Sequence, residues 1–500
     1  MGNWESGIGN RESGIGNRNP PLTPPRRGTG IGNRESEPTP NPSQEGNGNR
    51  ESGIGKETGV WGDGEMGRWG DGEMGRWYIQ FSYSLLPTPY SLLPVPFAID
   101  LTANWYNFLE IAKLKTVQAL ELDLTMKIDH VHFYVEDATV FCDWLVHTLG
   151  FQRVASGSSY HTYTEVVKSG SITFLISSPL TSRSPIAEFL RLHPPGVGDI
   201  AFLVEDLEAL IENASAQGNQ VVQPPQEQFQ RQGRLKWSRI PSWGSLVHTL
   251  VERDGICDES FFPAQLNWIT KTAQGKPPSL SREGNQGNNH PQTMFTTIDH
   301  VVLNVAAGEL ERAVNWYQQV LGFCPQQIFS IQTQQSGLYS QVMVDPTGEV
   351  QLPINEPTSA NSQIQEFLDF NGGQGIQHIA LRTSNIVEAI AQLRCRGLPF
   401  IEVPSSYYSQ LRQRPGGSNL PLPPAEWEEI ATREILVDWQ QEFPQALLLQ
   451  TFTQPIFGKP TFFFEVIERR CQAKGFGEGN FRALFEAIER EQNKRGSLGT

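Results

Sequence analysis

Two histidines and one glutamate in the last two-fifths of the chain are the residues best suited to metal chemistry. His300, His378 and Glu465 each lie in a short apolar run that predicts a β-strand. Two imidazoles and a carboxylate on rigid strands form a ligand set for ferrous iron, and this set leaves coordination positions open for an organic substrate and O2. The same ligands also suit Zn²⁺, and their spacing does not separate the two metals.

Glu465 is the member of this set that a purely structural role explains least well. It stands in the run FFFEVI (462–467), which predicts a largely buried strand. A carboxylate in such a strand must be paired, protonated or bound to a cation. A single histidine in a strand is more often a satisfied structural residue, and we assign no role to His130 for this reason. The three residues together predict a metal site.

The strands that would carry the triad belong to a duplicated sequence. Each copy contains two units in which a strand is followed by an amphipathic helix and further strands, so each half is predicted to be a pair of β-α-β-β-β units. The matching segments are KIDHVHFYV (127–135) with TIDHVVLNV (297–305), GVGDIAFLVEDLEALIENASAQG (196–218) with GIQHIALRTSNIVEAIAQLRCRG (375–397), and SLVHTLVER (245–253) with FFFEVIER (462–469). We predict domains at 126–271 and 294–500, separated by a polar linker at 272–293.

The duplication provides an internal control for the metal site. At the positions that match the triad, the first half has His130, Asp199 and Thr249. A fold that simply favoured histidine at these places would show it in both halves. The triad therefore indicates function added to the second copy, and the first copy is interpreted as a structural or dimer-forming domain without metal.

Size, charge and cysteine content exclude several classes of function. The 500 residues suit two or three domains. The formal net charge of −15 argues against a nucleic-acid partner, which would select a basic surface. The longest apolar stretch (78–99) contains four prolines and does not cross a bilayer as a helix. Five widely spaced cysteines without a CxxC pair predict free thiols, and we expect a cytoplasmic protein without a membrane partner.

The first 125 residues are predicted to be a disordered tail. They contain the short tandem repeats GNWESGI and GNRESGI, then two copies of GDGEMGR, then YSLLPTP and YSLLPVP. These periods match no solenoid unit, and the early composition buries too little apolar surface to offset chain entropy. We interpret the tail as translated nucleotide repeats and Met126 as the physiological start. A genuine tail with a binding role is the alternative, and N-terminal mass analysis distinguishes the two.

A series of motifs follows in a fixed order through the second half. They are IDHVVLNV (298–305), SGLYSQVMV (336–344), LPINEP (352–357), SQIQEFL (362–368), GIQHIALRT (375–383), LLLQTFTQP (447–455), PTFFFEVIERR (460–470) and GFGEGNFRALFEAIEREQ (475–492). Taken together, they resemble the 4-hydroxyphenylpyruvate dioxygenase family of the vicinal-oxygen-chelate superfamily. The resemblance covers nearly all of the chain beyond the tail, from Met126 to about Arg490.

This resemblance implies a fold, a cofactor and a reaction. The fold is α+β, with two tandem domains that each form an open barrel-like sheet, and with a C-terminal lid helix. One Fe(II) per subunit would be bound by His300, His378 and Glu465. The enzyme would convert 4-hydroxyphenylpyruvate and O2 to homogentisate and CO2, a step of tyrosine catabolism or of quinone and tocopherol synthesis. The family also implies a homo-oligomer, either a dimer or a tetramer.

The resemblance also assigns residues around the substrate. Gln450 would lie near the substrate carboxylate. A neutral hydroxyl and amide network toward the phenol would comprise Ser340, Asn355, Gln363 and Gln377. The ring would be enclosed by Phe452, Phe476 and Phe481, and the predicted site also includes Asn480, next to Phe481. Taken singly, each of these residues could equally be a turn, edge or core residue.

The C-terminal segment predicts a helix on a glycine hinge. Asn480 is a favourable N-cap residue, and Phe481, Leu484, Phe485 and Ile488 recur at helical spacing. The preceding GFGEG sequence is a flexible hinge. Such a helix at the mouth of a dry metal site suits a lid that excludes water. A helix simply docked on the sheet is the alternative.

Two departures from the family pattern and two alternatives stay open at this point. Tyr339 stands where the family commonly has asparagine, and the segment 414–424 is a Pro/Gly-rich insert. The first alternative is a 4-hydroxymandelate synthase, which shares fold, metal and substrate but hydroxylates the benzylic carbon. The second is a metal-free binding protein on the same scaffold. Regiochemistry, oligomeric state and pathway direction are not decided by the residues.

Overall fold

The computed structural model describes residues 125–229, 233–255, 267–270, 293–333 and 336–496. It gives the backbone without side chains at 267–270, 418, 481, 482 and 484. The predicted tail (1–125) lies outside the described residues apart from Thr125, and the predicted linker (272–293) lies outside them apart from Thr293.

The first half forms one nine-stranded mixed sheet. Its strands are β1 (Lys127–Tyr134), β2 (Gln152–Ser158), β3 (Thr162–Ser169), β4 (Ile172–Pro179), β5 (Gly196–Leu203), β6 (Gln223–Phe229), β7 (Gly233–Pro241), β8 (Val247–Gly255) and β9 (Asn267–Thr270). Its helices are α1 (Ala138–Trp144), which continues into a π-helical turn (Leu145–Leu149), α2 (Pro185–Leu192) and α3 (Leu207–Ala216). The order β6-β7-β8-β5-β1-β4-β3-β2-β9 joins two β-α-β-β-β units at the antiparallel pair of β1 and β5.

The second half repeats this plan in an eight-stranded sheet with the order β11-β12-β13-β10-β14-β17-β16-β15. Its strands are β10 (Thr297–Asn304), β11 (Cys324–Gln332), β12 (Gly337–Val344), β13 (Gln351–Pro357), β14 (Gly375–Arg382), β15 (Leu436–Gln440), β16 (Phe443–Phe452) and β17 (Phe463–Arg469). Its helices are α4 (Leu310–Leu321), α5 (Gln363–Asn371), α6 (Ile386–Cys395), α7 (Ser405–Gln413), α8 (Pro424–Thr432) and α9 (Glu478–Arg495). The predicted α+β class, with paired β-α-β-β-β units in each half, is confirmed.

Aromatic side chains from both halves form a shared core behind β17. The ring of Phe133 meets Phe462 edge-on at 5.3 Å, and Phe174 stacks on Phe464 at 6.0 Å. Such pairs contribute about 0.5–1.5 kcal/mol each beyond the burial of their area. Because side chains alternate along a strand, the same packing turns Glu465 toward the opposite face. Side chains of the first half thus pack against one face of β17, and Glu465 lies on the other face.

The last helix begins differently from the sequence prediction. Helix α9 starts at Glu478 after Gly477, which has a φ of 80°, so Asn480 is not the N-cap. Asp438, on the neighbouring β15, accepts a hydrogen bond from the first-turn N–H of Gly479 at 2.9 Å. The side chain of Asn480 accepts a hydrogen bond from the hydroxyl of Tyr407 at 2.7 Å instead. The cap comes from a strand distant in sequence, which local sequence signals do not reveal.

Within the described part of the chain, no helix has both the length and the apolar character needed to cross a membrane.

Candidate metal centre

The three predicted ligands converge at the centre of the second sheet. The Nε2 atom of His300 lies 3.1 Å from Oε2 of Glu465, and Nε2 of His378 lies 3.6 Å from the same oxygen. The donor atoms of the three residues all lie within 4.8 Å of one another. All three side chains are nearly buried, with 12 % exposure at His378 as the largest value. This is the spacing that one cation bound by three donors requires.

Strand pairing explains why three distant residues meet. Strands β10, β14 and β17 are neighbours, and the fully buried Ala380 on β14 pairs with His300 on one side and with Glu465 on the other. His378 lies two residues before Ala380 and therefore shares its face. Directly opposite residues have Cβ atoms about 4.5–5.5 Å apart, so a small side chain in the middle of the row leaves room for an ion.

Two irregularities in the pairing of β10 and β14 orient His300, His378 and the residue that precedes each of them. One lies between Ile298 and His300, the other between Val302 and Leu303, opposite Gln377. At each, one residue is inserted, so Asp299 is placed beside His300 and Gln377 beside His378. Bulges of this kind commonly redirect side chains next to active sites. The first half has the same two irregularities, so they belong to the scaffold.

Buried partners fix the orientation of both imidazoles. Nδ1 of His300 is 3.0 Å from Oδ1 of Asp299, and Nδ1 of His378 is 3.4 Å from the amide oxygen of Gln377. Asp299 also accepts hydrogen bonds from Arg382 and Arg469. With Nδ1 directed at an acceptor, each ring turns Nε2 toward the site, as metal-binding histidines do.

The electrostatics of the triad favour a positive charge at its centre. Burial alone would lower the pKa of His300, but the Glu465 and Asp299 carboxylates raise it to about 9. The pKa of His378 lies well below its usual value because of burial and the neighbouring His300. A neutral His378 and a carboxylate whose buried Oε1 has no hydrogen-bond partner among the described residues are ready donors. The three residues therefore fit a divalent metal ion.

In the first half, an ion pair stands where the second half has the triad. The carboxylate of Asp199 is buried and accepts hydrogen bonds from the N–H and hydroxyl of Thr249. Nε of Arg239 donates to that hydroxyl at 3.1 Å and lies 3.8 Å from Asp199. Arg239 pairs with Thr249 in the same register in which Phe452 pairs with Glu465. In this copy, the guanidinium of Arg239 thus supplies the positive charge beside the buried Asp199 carboxylate.

A cavity opens beside the triad, with mainly apolar walls and a few polar groups. Six of the predicted substrate residues line it: Ser340, Asn355, Gln363, Gln377, Phe452 and Phe476. Ser340 and Asn355 are directly paired on β12 and β13, so their side chains share one face. A largely apolar cavity with a few polar groups suits a small aromatic molecule.

Of the other three predicted residues, two do not line this cavity and the side chain of the third is not described. Gln450 is buried on β16 two residues before Phe452, and its amide group packs against Gly477. Asn480 is buried under Tyr407 and does not line the cavity. The side chain of Phe481 lies outside the described residues. The roles of all nine substrate residues stay predictions.

Sequence reasoning missed several residues around the site. Phe463 stacks on the His378 ring at 4.8 Å and lines the cavity. Its position two residues before Glu465 on one strand could have revealed it. Asp299 and Arg469 were also missed. The IDH sequence present in both halves was a signal for Asp299, and the arginine that ends both SLVHTLVER and FFFEVIER was a similar signal for Arg469.

Comparisons with known proteins found relatives that cover most of this chain. The sequence model of the Glyoxalase/Bleomycin resistance protein/Dioxygenase superfamily matches residues 127–235 and 297–415. The 4-hydroxyphenylpyruvate dioxygenase of Coccidioides posadasii is 36% identical over 412 residues, which cover 77% of this chain and 98% of the relative. That of Dictyostelium discoideum is 38% identical over 386 residues, covering 74% and 99%. A triple variant of 4-hydroxymandelate synthase from Streptomyces coelicolor shares the fold, with a TM-score of 0.62 and 24% identity over 73% of this chain and 98% of that one.

Proposed function

This chain belongs to the 4-hydroxyphenylpyruvate dioxygenase family, and from that premise we propose that it is an Fe(II)-dependent enzyme converting 4-hydroxyphenylpyruvate and O2 to homogentisate and CO2. Both oxygen atoms of O2 stay in homogentisate, because CO2 leaves with the oxygens of the original carboxylate. The observation that carries the proposal is the buried His300, His378 and Glu465 triad at the wall of a largely apolar cavity. Iron bound there would supply the redox chemistry that activates O2 and would hold the 2-oxo acid.

The cavity walls suit the rest of the substrate. Ser340 and Asn355 present a neutral hydroxyl and amide side by side, and the amide of Asn355 is itself held by Asn304 at 3.3 Å. The amide oxygen of Gln363 has no hydrogen-bond partner among the described residues and lines the same cavity. Uncharged donors and acceptors of this kind would orient a phenol without ionising it.

Aromatic and aliphatic side chains would keep water from the reacting groups. Phe476 packs edge-on against the His300 ring at 5.2 Å, and Phe452 lies 6.3 Å from the His378 ring. Phe485 and Ile488, both on helix α9, also line the cavity. Helix α9 would therefore act as a lid, and exclusion of water protects reactive intermediates from side reactions.

The test is O2 uptake with 4-hydroxyphenylpyruvate after anaerobic loading with Fe(II), followed by product analysis. Homogentisate supports the proposal, whereas 4-hydroxymandelate would assign the chain to the alternative enzyme. His378→Ala and Glu465→Ala should abolish uptake while the fold survives. His130→Ala, in the copy without the triad, is the matched control and should remain active. Full activity of a triad variant, or uptake that does not depend on Fe(II), would overturn the assignment.

Two further properties complete the proposal. We expect a homo-oligomer, either a dimer or a tetramer, which light scattering of the purified protein would measure. We also assign the enzyme to the cytoplasm. The unpaired state of Cys142, Cys324, Cys395 and Cys471 supports a reducing compartment, and fractionation with an antibody against the chain would test it.

A further inference from the structure

One buried guanidinium connects the metal ligands to the start of the lid helix. Arg469 lies on β17 four residues after Glu465, on the same face of the strand, and its side chain is only 7 % exposed. Burial by itself would lower its pKa, but the Asp299 carboxylate raises the pKa above its usual value. A permanently charged, planar group at this place can hold several acceptors in fixed directions.

On one side, Arg469 binds the carboxylate of Asp299, which orients the predicted metal ligand His300. Its Nε and Nη2 atoms each donate to an oxygen of Asp299 at 2.7 Å, in a bidentate pair. The same carboxylate lies 3.0 Å from Nδ1 of His300. Arg382 donates to the same carboxylate at 2.9 and 2.6 Å, so two guanidinium groups hold the residue that sets the direction of the His300 ring.

On the other side, Arg469 holds the segment that precedes helix α9. Its remaining nitrogen, Nη1, donates to the carbonyl oxygens of Ala473 at 3.1 Å and Gly475 at 2.8 Å. Gly475 and Gly477 both have positive φ, 84° and 80°, so this segment takes a backbone shape that glycine permits. Between them Phe476 packs on the His300 ring. The segment is therefore tied to His300 by two routes, one of them through Arg469.

The first half contains the same arrangement without the triad. Asp129 lies 2.7 Å from Nδ1 of His130 and accepts hydrogen bonds from Arg253 at 2.9 and 3.1 Å. The Asp–His–Arg arrangement is thus a feature of the scaffold in both copies. In the second copy, the same arrangement includes the predicted metal ligand His300 and contacts the segment before helix α9. It can therefore link the metal site to the lid, which the first copy cannot do.

We propose that Arg469 is a positioning residue that couples the orientation of the metal ligand His300 to the closure of helix α9. A bound ion fixes the His300 ring, the ring fixes Asp299, and the shared guanidinium then holds the carbonyls of Ala473 and Gly475 in the closed arrangement. The lid closes over a loaded site and is looser over an unloaded one. The inference rests on the metal part of the proposed function.

Amide hydrogen exchange of the full-length protein, with and without Co(II), tests this coupling. Co(II) alone is the probe, because its absorption spectrum reports the ligand geometry. In the native protein, Co(II) should slow exchange across residues 473–482. Arg469→Lys keeps a positive charge beside Asp299 but cannot span both partners, so it should bind Co(II) with the native spectrum and lose most of this protection.

A second variant probes the other end of the link, should Arg469→Lys fail to fold. Asp299→Asn should weaken Co(II) binding about 10- to 100-fold, the usual effect of removing a group that orients a metal ligand. At saturating Co(II), it should also show reduced protection of the hinge. Asp129→Asn and Arg253→Lys make the same changes in the copy without the triad and should leave both measurements at native values.

Three outcomes would overturn the proposal. They are full Co(II)-dependent protection in Arg469→Lys, native Co(II) affinity in Asp299→Asn, and no effect of Co(II) on hinge exchange in the native protein. None of these measurements involves 4-hydroxyphenylpyruvate. Failure of the substrate assay is therefore separable from failure of the coupling.

Discussion

Acid is expected to weaken the joint between the two halves at His248. This imidazole is fully buried on β8, with Nδ1 donating to the carbonyl of Ile200 at 2.9 Å. Its Nε2 atom accepts from the hydroxyl of Tyr317, on α4 of the second half, at 2.9 Å. Ser242 lies 3.0 Å from the same hydroxyl. The network needs a neutral ring, because a proton on Nε2 would remove the acceptor for Tyr317.

The magnitude follows from the pKa of this group. Burial lowers the pKa of His248 to about 4, although the Ile200 carbonyl and Asp199 oppose the effect. The unfolded chain binds the proton near pH 6.5, so the contribution to stability is complete above pH 6.5 and is lost as the pH falls toward 4. The difference between 6.5 and about 4, at about 1.36 kcal/mol per pH unit, corresponds to about 3 kcal/mol.

Denaturant unfolding between pH 7 and pH 4 measures this contribution. The variant His248→Gln removes the titrating group, so its free energy of unfolding should fall less steeply than that of the native protein, by about 1.36 kcal/mol per pH unit at most. Tyr317→Phe is the matched control, since it keeps the imidazole buried and should retain the native slope. Equal slopes for His248→Gln and the native protein would refute the reasoning.

Three further predictions follow from the site. Glu465→Gln removes the only charged ligand, so calorimetric titration should detect little or no Fe(II) binding, and a binding constant within tenfold of native would contradict the assigned ligand. Fe(II) at about 100 times its dissociation constant should stabilise the folded protein by about 2.7 kcal/mol. A thermal scan should show the higher melting temperature, and a chelator should reverse it. An unchanged melting temperature would count against a metal site. Tyr407→Phe leaves the buried Asn480 without its donor and should cost about 1–3 kcal/mol in urea unfolding, whereas an unchanged stability would show that Asn480 finds another partner.

Short-range signals were sufficient for much of the fold. Alternating and helical periodicity, together with the duplication, predicted paired β-α-β-β-β units because one face of each element is buried. The N-cap of α9 was predicted wrongly, since its first turn is capped by Asp438 of β15. A cap supplied from a distant strand has no local sequence signature.

The sequence by itself predicted which three residues form the candidate metal site. A carboxylate in a buried run and two histidines in matching strands, present in one copy of a duplication, pointed to a metal centre because burial forbids an unpaired charge. What only the tertiary structure decided is how these groups are held. The pairing of three strands around Ala380, the guanidinium of Arg239 in the other copy, and the bridge from Asp299 through Arg469 to the hinge all join residues far apart in the chain. Such contacts are set by strand register and packing, which no local pattern encodes.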